Sequence, residues 1–178
     1  MISNINASNP TLKATLLIKT PTSNGILGVG SLARGGATVA SSKALIDADL
    51  ATMIPDTGLW LRYILINLGA NDVANMPSQA QFESDLGYYM DAYHTKYPNA
   101  KVYVMRPWRR NFNTNCNTLA GFIANVVAAR SAWAFLGPDE RVFLENGDDG
   151  VTYTVEGIHP NTAGYALTAT QWQTALGL

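Results

Sequence analysis

Short apolar runs, each stopped by turn-forming residues and separated by amphipathic stretches, constrain this chain more than any other feature. The clearest run is Tyr63-Ile64-Leu65-Ile66-Asn67-Leu68, which stops at Gly69-Ala70-Asn71-Asp72. A second, Lys101–Met105, stops at Arg106-Pro107-Trp108, and a third spans Arg141–Glu145. Thr15–Ile18 and Ile26–Val29 are shorter runs with an ambiguous strand pattern. Apolar runs without alternation predict strands buried on both faces. Between them, helical spacing covers Ser42–Met53, Gln79–Tyr97, Thr118–Phe135 and Asn161–Leu176. The first places Leu45, Ile46, Leu50 and Met53 on one face. The last has Asn161 or Thr162 as its N-cap, with Trp172 and Leu176 pointing inward. Strand–helix alternation at this spacing predicts an α/β fold, a mainly parallel sheet with helices on both sides. In such sheets, sites form beyond the C-terminal strand ends.

At 178 residues, the chain is expected to form a single domain over 1–178 with a full core. Charged residues are only 14% of the chain, and 12 basic against 13 acidic residues leave a net charge of −1. That balance gives no basic surface for nucleic acid or an anionic membrane. Cys116 is the single cysteine, which excludes an intrachain disulfide and a multi-cysteine metal site. No signal peptide and no membrane span is read, so a soluble protein, cytoplasmic or otherwise, is expected.

Two segments after strands invite chemistry. In Gly69-Ala70-Asn71-Asp72, a strand ending in glycine can aim the Asn71 amide at an oxyanion. Taken alone, the same residues read as a plain turn. In Glu156-Gly157-Ile158-His159-Pro160-Asn161, a carboxylate three residues before a histidine can orient the imidazole. It would hold the Nδ1–H tautomer and leave Nε2 as a base. The plainer alternative is a helix start with an incidental histidine.

Together these segments resemble the SGNH hydrolase family, the GDSL-type esterases and lipases. Gly69-Ala70-Asn71-Asp72 looks like its Gly-x-Asn-Asp block, and Glu156–Asn161 looks like its Asp-Gly-x-His-Pro-Asn block. Leu32–Thr38 looks like the block whose glycine helps form the oxyanion hole, with Gly36 as the best match. The resemblance implies a three-layer α/β/α sandwich of flavodoxin-like type. It also implies ester hydrolysis through an acyl-serine, with no metal or organic cofactor. His159 would be the base, Glu156 its orienter, and Gly36 and Asn71 oxyanion donors. Glu156 stands where the family usually has aspartate; Asp148 and Asp149 are alternatives.

The family's Gly-Asp-Ser block is not recognisable, so the first strand and nucleophile region are expected to be atypical or truncated. Ser31, in Val29-Gly30-Ser31-Leu32, follows a strand-like run but lies only five residues before Gly36. Ser3 has the better spacing, but only Met1 and Ile2 precede it. Ser8 and Ser23 are weaker. Ser31 is the leading candidate.

Arg106-Pro107-Trp108-Arg109-Arg110 could bind an anionic group or stack on a sugar ring, or could be a solvated loop with a packed tryptophan. The amides of Asn111–Asn117 favour a polar ester, such as one on a carbohydrate. The tyrosines at 88, 89, 93 and 97 read as packing, His94 as exposed, and Cys116 as an unlikely nucleophile. The leading reading is a serine esterase for short acyl or acetyl esters of a small molecule or carbohydrate. Its rival is a non-catalytic module of the same fold. A nucleotide or flavin binder is disfavoured, because no Gly-x-Gly-x-x-Gly or Walker loop occurs.

Overall fold

A computed structural model describes residues 35–52, 62–144 and 152–178. Ser3, Ser8, Ser23, Ser31, Asp148, Asp149 and the runs Thr15–Ile18 and Ile26–Val29 lie outside the described residues.

Among the described residues, three parallel strands form the sheet, in the order β1 (Tyr63–Ile66), β2 (Lys101–Arg106), β3 (Ala134–Asp139). Tyr63 pairs with Lys101, and Val102 with Ala134. Among the described strands, only β2 is buried on both faces, as an unbroken apolar run requires; β1 alternates, with Leu65 exposed. On one face Val102 and Val104 join a core with helices α1 (Val39–Thr52), α2 (Gln79–Lys96) and α3 (Asn113–Ala128). On the other, Tyr103 and Met105 pack against Trp172. Trp172 belongs to α5 (Thr162–Leu176), after the one-turn α4 (Glu140–Phe143) and the hairpin β4 (Thr154–Val155) and β5 (His159–Pro160). The result is a sheet flanked by helices on both faces, the α/β/α sandwich expected from the sequence.

Helix α2 forms because Phe82, Leu86, Tyr89, Met90 and Tyr93 recur at helical spacing and bury one face. Its N-cap Ser78 accepts from the Gln81 N–H, and Pro98 follows its end. In α5, Asn161 Oδ1 accepts from the Gly164 N–H at 3.0 Å, so Asn161 is the cap. Trp172 is buried and Leu176 packs beside it.

The structure moves several boundaries. The third strand is Ala134–Asp139 rather than Arg141–Glu145, and α3 starts at Asn113 and ends at Ala128 rather than running to Phe135. Phe135 is drawn into the sheet by stacking on Tyr103, with ring centroids 5.2 Å apart. Gly137 then admits Trp172, whose ring atoms would lie 2.7 Å from a Cβ there. Pro138 follows at the register shift opposite Val104 and Arg106, where a missing N–H is tolerated. Asp139 accepts from the Arg141 N–H and starts the turn α4, leaving Val142 exposed. Along α1, Ile46 and Leu50 are buried but Leu45 is exposed, and Met53 lies outside the described residues. His94 is half-buried rather than exposed, stacked on Trp133 at 4.1 Å. Tyr89, Tyr93 and Tyr97 are buried, as packing requires, and Tyr88 is exposed.

Candidate active site

The segment after β1 is built around Gly69, whose φ of +116° suits glycine. A Cβ there would lie 2.9 Å from Leu119 Cδ2 and from Pro107 Cγ, so the chain passes where only glycine fits. The next residues turn into a short 3-10 helix, Asp72–Asn75. Asn71 Nδ2 donates to the Ala37 carbonyl at 3.0 Å. One amide hydrogen is thus fixed, and among the described residues no acceptor takes the second.

Asp72 makes a second tie to the same segment, at Val39. Both its oxygens accept from the Val39 N–H, each at 3.2 Å, at the start of α1. The carboxylate caps that helix from a distance of more than thirty residues in sequence. Burial pushes its pKa above the ordinary value, against the lowering effect of the Val39 N–H. Asn71 and Asp72 together fasten the strand end to Ala37 and Val39, directly after the turn at Gly35 and Gly36. Gly36 has φ +73°. The two sequence segments assigned to oxyanion binding are therefore neighbours in the fold.

The acid–imidazole segment is the turn between β4 and β5, where Val155 pairs with His159. Ile158 N–H donates to the Val155 carbonyl at 3.2 Å, closing a β-turn. Its central residues are Glu156 at φ +56° and Gly157 at φ +79°. Positive φ at both positions is the pattern of a hairpin turn. It brings Glu156 Oε2 to 3.0 Å from His159 Nδ1. The Glu156 and His159 side chains are 62% and 72% exposed, so the pair lies at the surface.

A third segment, Pro107–Phe112 after β2, touches both others. Pro107 packs on Gly69, and Arg109 Nη1 donates to the Ala70 carbonyl at 3.3 Å. The Arg110 N–H donates to the Gly157 carbonyl at 3.1 Å. The Arg110 side chain fills the space beside Gly157, where a Cβ would meet its Cδ at 2.5 Å. Glu140 holds this loop from below: its Oε2 accepts from the Trp108 N–H at 3.2 Å. Burial pushes the Glu140 carboxyl up to about 7. Trp108 is buried, so it is the packed tryptophan of the plainer reading and cannot stack on a sugar. Cys116 is fully buried on α3, which removes it as a nucleophile. A cavity of about 300 Å³ opens at Asn111, Phe112, Asn113, Thr114 and Asn115, beginning one residue beyond Arg110.

Of the residues singled out in the sequence, Gly36 lies beside Asn71 and Glu156 beside His159, and the Arg109-Arg110 pair bridges the two groups. Sequence reasoning missed the ties made by Asp72, Pro107 and Glu140. The paired glycines at 69 and 157 were the visible signal, since each makes room for the same loop. Among the described residues, no helix is long and apolar enough to cross a membrane, and no group of three or more His, Cys, Asp or Glu could hold a metal ion.

The fold has solved counterparts. A family 3 carbohydrate esterase of Clostridium thermocellum is similar with a TM-score of 0.70 and 16% identity, covering 98% of this chain and 82% of its own. A family 3 carbohydrate esterase of Talaromyces cellulolyticus gives 0.63 and 16%, covering 91% and 78%. A member of the lipolytic protein G-D-S-L family from Veillonella parvula gives 0.62 and 16%, covering 80% and 76%. No curated protein matches the chain significantly. The model of the GDSL-like lipase/acylhydrolase family matches residues 8–167, nearly the whole sequence. The chain belongs to the GDSL-like lipase/acylhydrolase family.

Proposed function

We propose that this chain is a serine esterase that hydrolyses short acyl or acetyl esters carried on a polar alcohol, such as a carbohydrate. The observation that carries this reading is the 3.0 Å contact between Glu156 Oε2 and His159 Nδ1, held on a turn that is hydrogen-bonded to the loop beside Asn71. A carboxylate on Nδ1 fixes the tautomer in which Nε2 accepts a proton.

In this mechanism a serine Oγ attacks the ester carbonyl while His159 Nε2 takes its proton. The carbonyl oxygen becomes an oxyanion and receives hydrogen bonds from Asn71 Nδ2, the Gly36 N–H and the nucleophile's own N–H. His159 returns the proton to the departing alcohol, leaving an acyl-serine. Water then attacks that ester with His159 again as base, and the acid leaves. Ser31 is the nucleophile in this reading, with Ser3 as the alternative. The amides at Asn111, Asn113 and Asn115 line the cavity that begins one residue beyond Arg110 and suit hydroxyl groups better than a long acyl chain.

The specific observation favouring a non-catalytic module instead is that no Gly-Asp-Ser block occurs in the sequence. Fluorophosphonate labelling with peptide mapping separates the two readings. The esterase gives one labelled serine, and the label is lost in His159→Ala. Folded protein that takes no label is the module.

A further inference from the structure

We propose that the Pro107–Phe112 loop sets the oxyanion segment in register with the acid–imidazole turn, and that Arg109 is the positioning residue for Asn71. The kinetic part of this inference rests on the esterase reading above.

The argument begins with which atoms are held. The Ala70 carbonyl belongs to the same peptide plane as the Asn71 nitrogen. The bond from Arg109 Nη1 to that oxygen therefore fixes the plane from which the Asn71 side chain departs. The Asn71 amide is fixed a second time at Ala37. One anchor on its backbone plane and one on its side chain restrict it.

Arg109 is itself braced. Its guanidinium carbon lies 5.2 Å from the centre of the Phe112 ring. Its carbonyl accepts the Phe112 N–H at 3.1 Å and faces the Cys116 sulfur at 3.9 Å. One residue on, the Arg110 N–H holds the Gly157 carbonyl, two residues before His159. Adjacent residues of one loop thus grip the two halves of the site. Among the described residues Arg109 makes no ion pair, and its guanidinium bonds the Ala70 carbonyl.

The test uses Arg109→Met and Arg109→Lys in the full chain, with an aryl acetate as substrate. Methionine keeps the packing on Phe112 and removes the donor; lysine restores one donor. Arg109→Met is expected to lower kcat about ten- to a hundredfold with KM within about twofold. It is also expected to shift the Asn71 side-chain amide resonances, identified by their loss in Asn71→Ala. Arg109→Lys is expected to recover most of both. Unchanged Asn71 resonances and unchanged kcat in folded Arg109→Met overturn the proposal. If the unmodified protein turns over no ester, the esterase reading fails, and the Asn71 resonances alone decide whether Arg109 positions that residue.

Discussion

The side chain of Arg110 occupies the space that a methyl group on residue 157 would need, with its Cδ 2.5 Å and its Cβ 2.7 Å from that position. Gly157 also has φ +79°. Gly157→Ala is therefore opposed twice, by contact and by backbone conformation. It is expected to displace the turn carrying Glu156 and His159, to cost about 1–3 kcal/mol in stability, and to lower esterase turnover. Urea unfolding with parallel rate measurements checks this. Unaltered values for both would mean that the turn tolerates the shift.

Glu156 is the second residue of that turn at positive φ, at +56°, and it has a Cβ. The strain is of the order of 1 kcal/mol. Glu156→Gly is expected to relieve it and raise the midpoint of thermal unfolding by a few degrees. The same change removes the oxygen at 3.0 Å from His159 Nδ1 and is expected to cut kcat at least tenfold. Opposite signs for stability and rate are the signature to seek.

Asn71→Ala removes the donor assigned to the oxyanion together with the bond to Ala37. Loss of one such donor lowers kcat by about a hundred- to a thousandfold, with a much smaller change in KM. Steady-state kinetics on the aryl acetate measures it. A change confined to KM would place Asn71 in substrate binding alone.

Glu140 carries a pH dependence. Burial raises its pKa from the ordinary 4.5 to about 7, although the Trp108 N–H works against the rise. The folded chain then holds this proton more tightly than the unfolded chain. Stability present below pH 4.5 is lost as pH rises through about 7, a difference of about 3 kcal/mol. Asp72, also raised by burial, acts in the same direction. Asp139 is the opposite case. Its burial is outweighed by Arg141 and Arg106, so its stabilisation is lost only as pH falls below the usual carboxylate range. Glu140→Gln is expected to flatten most of the slope between pH 5 and pH 8 in urea midpoints, leaving the smaller contribution of Asp72. A slope equal to that of the unmodified protein would show that Glu140 titrates normally.

The strands at Tyr63–Ile66 and Lys101–Arg106 were legible because their apolar runs have no helical period. Helix α5 was legible because Asn161 and Trp172 mark its start and its buried face. The third strand was not, because Ala134–Asp139 contains Gly137 and Pro138, which locally signal a stop. Only Trp172, far along the chain, explains the glycine. Helix α3 began early for a similar reason: its Asn- and Thr-rich first turns are held by the bond from Asn115 Nδ2 to the Val73 carbonyl at 2.7 Å. Asn71 and the Glu156–His159 pair stood out because their short motifs carry their own turn chemistry. Asp72 and Arg109 did not, because each acts on a residue 30 or more positions away.

The turn bearing His159 is moored largely through main-chain atoms. Gly157 offers its carbonyl to the Arg110 amide, and the Asn161 amide donates to the Tyr153 carbonyl at 2.9 Å. Such moorings do not depend on which side chains stand at positions 155, 156 and 158. An acid of a different length could therefore stand beside the imidazole without the histidine losing its place. Substitutions at those three positions can retune the reactivity of the site while the frame that presents it stays fixed.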